Sequence, residues 1–247
     1  LESGPLWGPP MEQGARAPEP LRYQKQSGED PSSLEGAPMT DLALSTPLWL
    51  AMLTIVVNAL VGALHGYLDE SRHWDVVGVV TFALVMGLGG GFLRDVLLGL
   101  PAQSLRTPWP VLATLVAVPL ARLAAPAAQR LPRLLESLDA VALALFAITG
   151  AATASTHGVP ALPAVLVGVI SAVGGGVLVS VLRGEVPQIL QPSRPQALLA
   201  AAVGGAYLAL AGWDANAAYV VSGALGVGLH LVVAQRDVRT RPFSAVA

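Results

Sequence analysis

From residue 47 to residue 235 the chain is a succession of long apolar runs, separated by short polar breaks. A helix that crosses a bilayer needs about 20 apolar residues. Seven runs meet that length or come close to it: 47–68, 76–100, 109–126, 137–157, 160–182, 195–213 and 215–235. None shows a polar face for water to wet, which excludes a water-soluble helix bundle. Pro160 and Pro195 stand at predicted helix starts, where a missing N–H costs little. Trp49, Trp74, Trp109 and Trp213 fall at run ends, as an interfacial aromatic belt requires. The pattern predicts an all-α membrane protein of seven transmembrane helices, occupying 46–235 as one domain.

Residues 1–45 break the pattern. They are rich in Pro, Gly and Ser, hold seven of the sixteen acids and lack apolar periodicity, so they read as a disordered tail. No basic flank, apolar core and cleavage site opens the chain as a signal peptide would. Met39 precedes the first run closely and is read as the natural start, with residues 1–38 upstream of it. Residues 236–247 form a short C-terminal tail.

Composition agrees: 53% of residues are hydrophobic and 12% charged, against about 25% charged in soluble domains. Cysteine is absent, which removes disulfides and thiol chemistry. Arginine placement orients the spans. Arg72, Arg122, Arg130, Arg133, Arg183, Arg194, Arg236, Arg239 and Arg241 fall on one side, and Arg106, with Arg94 if it lies near the surface, on the other. The positive-inside rule then predicts a cytoplasmic C-terminus and an external N-terminus, in a cell inner (plasma) membrane.

Within this frame one segment is expensive. Residues 87–99 place three glycines, Gly89, Gly90 and Gly91, and then Arg94 and Asp95, inside an apolar run. Residues 172–184 repeat it: Gly174, Gly175 and Gly176 match at an offset of 85, as do Leu93 with Leu178, Val96 with Val181 and Gly99 with Gly184. The copies lie in spans two and five. Three spans separate them, so they run in opposite directions, as two inverted three-helix repeats plus a seventh helix. Inverted repeats with interrupted helices mark transport proteins whose site lies near the midplane. The glycine triplets are accordingly expected to break or kink their helices and to line a pathway. The bland alternative is close helix packing through small residues, the reading preferred for Gly204–Gly205.

Arg94 lies about 10 Å beyond the span centre at 1.5 Å per residue. Intramembrane charges face a water path or a partner. Arg94 and Asp95 are expected to point about 100° apart and so to serve different roles, in gating or scaffold. The second copy has Val179 and Ser180 there, so the pathway is electrostatically asymmetric. Asn58 is a second mid-span polar group, either an interhelical hydrogen bond or a pore ligand. Asp139 reads as a carboxylate on the first turn of span four, where it suits a helix N-terminus. His65, His157 and His230 read as interfacial packing without metal-ligand spacing, and Arg130, Arg133 and Glu136 as a solvated loop. No phosphate loop and no nucleophile–base–acid set appears, so neither an enzyme nor a nucleic-acid binder is expected.

The motif Gly-Gly-Gly-x-x-Arg-Asp-x-x-Leu-Gly, with a second triplet 85 residues on in a seven-span chain, resembles the prokaryotic TRIC (trimeric intracellular cation channel) family. The same bacterial family also goes under the description of glycine transporters. The resemblance covers roughly residues 47–235 and implies a homotrimer in which each subunit carries its own K⁺-permeable pore, between kinked helices two and five. It implies Gly89–Gly91 and Gly174–Gly176 at the pore; on a channel reading, polar groups such as Ser180 and Asn58 would replace part of the ion's hydration. It implies no cofactor beyond a permeant K⁺ and a bound lipid. Many relatives carry Arg-Asp in both copies; Val179–Ser180 departs from that. The alternative reading is a secondary transporter of glycine or another small solute.

Overall fold

A computed structural model describes residues 47–69, 71–236 and 238–240. The expected disordered tail over 1–45 and the expected start at Met39 lie outside the described residues. Seven α-helices follow in order among those described: α1 Leu48–Tyr67, α2 Val76–Leu97, α3 Trp109–Arg130, α4 Pro132–Thr156, α5 Ala161–Leu182, α6 Gln196–Ala211 and α7 Ala215–Gln235. All but α6 are long and apolar enough to cross a membrane.

Local chemistry sets the helix ends. The Asp75 carboxylate accepts the Gly78 N–H at 2.8 Å and starts α2, and Asp214 accepts the Ala217 N–H at 2.9 Å and starts α7. Two predicted boundaries move. α3 continues through Pro119 and Pro126 to Arg130. α4 starts at Pro132, whose missing N–H is free of cost in a first turn. Arg130, Arg133 and Glu136 are therefore helical rather than loop residues, and Glu136 takes an ion pair from Arg194 at 3.0 Å.

The buried core has two parts. Ala59, Leu64, Val79, Ala83, Ala117 and Ala121 join α1, α2 and α3. Leu143, Ala147, Ile148, Ala151, Leu199, Val203 and Tyr219 join α4, α6 and α7, with Leu50 of α1. Small residues bring the backbones together. A Cβ on Gly62 would lie 2.5 Å from the Phe82 carbonyl oxygen, and one on Gly150 would lie 3.2 Å from that of Val167. Both copies thus use a glycine of their first helix to admit the second.

The repeat extends past the helices. α2 and α5 each end in a glycine with positive φ, Gly99 at 66° and Gly184 at 69°, a conformation that costs glycine little and other residues more. Leu100 N–H returns to the Asp95 carbonyl at 2.8 Å, and Glu185 N–H to that of Ser180 at 2.9 Å. Single 3₁₀ turns follow at Gln103–Leu105 and Gln188–Leu190, again 85 residues apart.

After α7, Thr240 N–H donates to the Ser193 carbonyl at 2.9 Å, so the start of the C-terminal tail is fastened beside the entry to α6.

Candidate functional site

The glycine triplets lie where α2 crosses α5. Both helices run through them without interruption, which corrects the expected break. The cost of glycine in a helix is instead recovered in contact, because a missing side chain admits the other helix. A Cβ on Gly90 would lie 2.2 Å from the Ser171 carbonyl oxygen, and one on Gly175 would lie 2.9 Å from that of Met86. A Cβ on Gly89 would meet a Leu178 methyl at 3.1 Å, and one on Gly174 a Leu93 methyl at 2.5 Å. Each contact becomes its twin when 85 is added to one residue and subtracted from the other. The crossing is two-fold symmetric in its partners. The Ser171 hydroxyl fastens it, donating to the Gly90 carbonyl at 3.2 Å.

The third glycines differ. Gly91 leaves only the Arg94 guanidinium and Phe146 at 4.0 Å from a Cβ position. Gly176 meets nothing within 4 Å and borders a cavity of about 740 Å³. The cavity is also lined by Met86, Ser180, His65, Asp139 and Arg183. The 3₁₀ turn supplies Gln188 and Ile189, and the chain beyond it Gln191 and Gln196. Of the residues singled out from the sequence as pore-lining, Gly176 and Ser180 reach this cavity. Ser180 donates to the Gly176 carbonyl at 2.9 Å.

Asn58 sits elsewhere, buried between α1 and α4. Its amide donates to the Thr54 carbonyl at 2.8 Å and to the Ala142 carbonyl at 3.4 Å. Arg94 and Asp95 are neither separated nor at the cavity. The guanidinium folds back along α2 and binds the neighbouring carboxylate at 2.6 Å, which corrects the expectation of separate faces. The reason is reach: three methylenes and a planar fork span the angle between adjacent positions. Arg94 is 8% exposed and Asp95 1%. The second Asp95 oxygen accepts the Gln103 N–H at 2.8 Å, pinning the 3₁₀ turn against the helix end.

The opposite end, where α5 finishes, carries a different network. Asp69, after α1, accepts the Ser71 hydroxyl at 2.6 Å, the Trp74 indole N–H at 2.7 Å and the Arg183 guanidinium at 2.9 Å. The Ser71 hydroxyl bond above all, against the opposing cost of burial, holds the Asp69 carboxyl well below the usual carboxylate range. Arg183 also reaches Glu185 at 3.0 Å, and Arg72 donates to the Arg183 carbonyl.

Sequence reasoning placed Asp139 on a first helical turn. The earlier start of α4 puts it two turns in and on the cavity wall. His65 shares that wall. The signal that could have found them is the arginine asymmetry itself, since the polar groups that face a cavity gather at the arginine-rich end.

The comparisons agree with this architecture. The family described as Glycine transporter matches twice, over residues 48–125 and 136–213, and each match holds three helices. A UPF0126 membrane protein of Deinococcus radiodurans is 34% identical over 159 residues, 64% of this chain and 72% of the relative. The UPF0126 inner membrane protein YadS of Escherichia coli is 34% identical over 145 residues, 58% of this chain and 69% of its own. Among solved structures, the TRIC trimeric intracellular cation channel orthologue of Rhodobacter sphaeroides matches with a TM-score of 0.69 and 30% identity, over 77% of this chain and 98% of its own. A second TRIC cation channel chain matches with a TM-score of 0.69 and 26% identity, over 81% of this chain and 98% of its own. The protein is a helical membrane protein of the Glycine transporter family, with the fold of the TRIC channels.

Proposed function

We propose that the protein is a cation channel that passes K⁺ through a pore in each subunit of a homotrimer, between α2 and α5. The observation that carries this reading is the shared fold with TRIC channels over three quarters of the chain, with a polar cavity opening at the α2–α5 crossing. The cavity is the vestibule at the arginine-rich end, which the positive-inside rule assigns to the cytoplasm of an inner membrane, with the N-terminus outside. The reciprocal contacts at the crossing support two inverted repeats related by a two-fold axis in the membrane plane. Oxygen ligands for a partly dehydrated ion are available from Ser180, Gln188 and the Asp139 carboxylate. Arg94 does not bar the path with a net charge, because Asp95 neutralises it. No enzymatic step and no resident cofactor is part of this reading.

The family description favours a second reading, a carrier of glycine or another small solute. Purified protein in liposomes separates the two, with K⁺ flux and labelled glycine uptake measured in parallel. The channel reading expects ohmic K⁺ current without saturable uptake. Saturable glycine uptake with no conductance overturns it.

A further inference from the structure

Seven carboxylates stand among the described residues, and six have a direct partner. Asp75 and Asp214 cap helices. Asp69 and Glu185 hold Arg183, Asp95 holds Arg94, and Glu136 holds Arg194. Asp139 is the exception: none of the described residues makes a hydrogen bond or ion pair with its carboxylate. It is half-buried on the second turn of α4 and lines the 740 Å³ cavity together with Ser180, Gln188, Gln191 and His65. The ionisable groups around it stand at longer range: His65 on α1, His230 on α7, Arg194 before α6 and Glu136 on its own helix. His230 is 2% exposed, and its Nδ1 has no hydrogen-bond partner among the described residues.

A carboxylate withdrawn from bulk water without a hydrogen bond is costly unless it takes up a proton or a countercharge reaches it, and a cation in the cavity supplies the second. A polar cavity of this size admits a small cation with part of its water. We propose that Asp139 is the carboxylate that binds a monovalent cation in the cavity, with the Ser180 hydroxyl and the glutamine side chains completing its oxygen shell. Glu185 lines the same cavity but is already paired with Arg183, and Asp69 is saturated. This inference deepens the cation-channel reading and rests on it.

The test uses the full chain in detergent and in liposomes. Thermal midpoints are compared in KCl and in N-methyl-D-glucamine chloride at equal ionic strength, and K⁺ flux is measured alongside. The wild type should melt higher in K⁺. Asp139→Asn should lose that difference and most of the flux, whereas Asp139→Glu should keep the difference with a changed half-effective K⁺ concentration. Asp214→Asn, which removes a carboxylate from the far end of α7, should keep both the K⁺ difference and the flux. A K⁺-dependent shift that survives in Asp139→Asn overturns the site. Should Asp139→Asn not fold, an unchanged half-effective concentration in Asp139→Glu overturns it equally. Wild-type flux without any K⁺-dependent shift removes Asp139 and leaves the channel; a shift without flux removes the channel.

Discussion

The ends of α2 and α5 are built from one motif and finish differently. Both leave a glycine crossing, turn on a positive-φ glycine and enter a 3₁₀ turn. At the α2 end, Asp95 grips Arg94 on one side and the Gln103 N–H on the other. At the α5 end Ser180 occupies the Asp95 position, and its hydroxyl bonds back into its own helix instead. Gln188, the counterpart of Gln103, is left lining a cavity. Two substitutions, Arg to Val and Asp to Ser, thus separate a helix end pinned to the turn that follows it from one whose turn lines a cavity. What pins the first is a carboxylate that reaches forward eight residues, and the Ser180 hydroxyl makes no such bond.

The sharpest way to break the comparison is to leave Arg94 without its partner. Asp95→Asn keeps an oxygen for the Gln103 N–H but strands a buried guanidinium, which should cost about 3–5 kcal/mol. The double change Arg94→Val with Asp95→Ser installs the second copy's residues and strands no charge, so it should cost less than the single change. Thermal midpoints of the three proteins in detergent check this. A double variant less stable than Asp95→Asn would show that the pair is worth more than its burial costs.

A smaller effect is expected at the crossing, where the copies are alike. Gly90→Ala drives a methyl into the Ser171 carbonyl, a backbone atom that cannot step aside, and should cost about 1–3 kcal/mol through overpacking. Gly176→Ala, one of the same family of six glycines, meets open space and should be nearly neutral in stability. Equal losses at the two positions would contradict the division between packing glycines and a cavity glycine.

That division explains what the sequence could and could not reveal. Run lengths and prolines located seven helices to within a few residues, because lipid enforces length and leaves no polar face to blur the signal. The offset of 85 located the crossing, since a repeated triplet has few causes. It did not say whether glycine breaks a helix or admits a neighbour. Both uses leave the same letters, and what decides between them is the Ser171 carbonyl, which stands where a Gly90 side chain would have to go. The Arg94–Asp95 pair was missed for a related reason: helical-wheel angles describe Cβ directions, whereas a guanidinium six bonds away is free to fold back. Asp139 was displaced by a boundary error, since a start at 137 rather than 132 turned a cavity-facing residue into a first-turn carboxylate.

The least effect, and the one that tests what holds the α5 end, concerns Asp69. Arg183 has no counterpart at the α2 end, where Leu98 stands. It turns out of the α5 terminus to meet Asp69 in the α1–α2 connection. Removing the charge while an amide keeps part of the network should cost about 0.5–1.5 kcal/mol, the net scale of one hydrogen bond. Its pH dependence has a definite sign. The folded carboxyl is held below its unfolded value of about 3.9, so its contribution is complete above that pH and fades as pH falls below it. Asp69→Asn should therefore melt below the wild type at pH 7, and the gap should close progressively below about pH 4. A gap that stays constant down to pH 3 would mean that Asn loses packing rather than charge, and that Arg183 is positioned by Glu185 and the helix end alone.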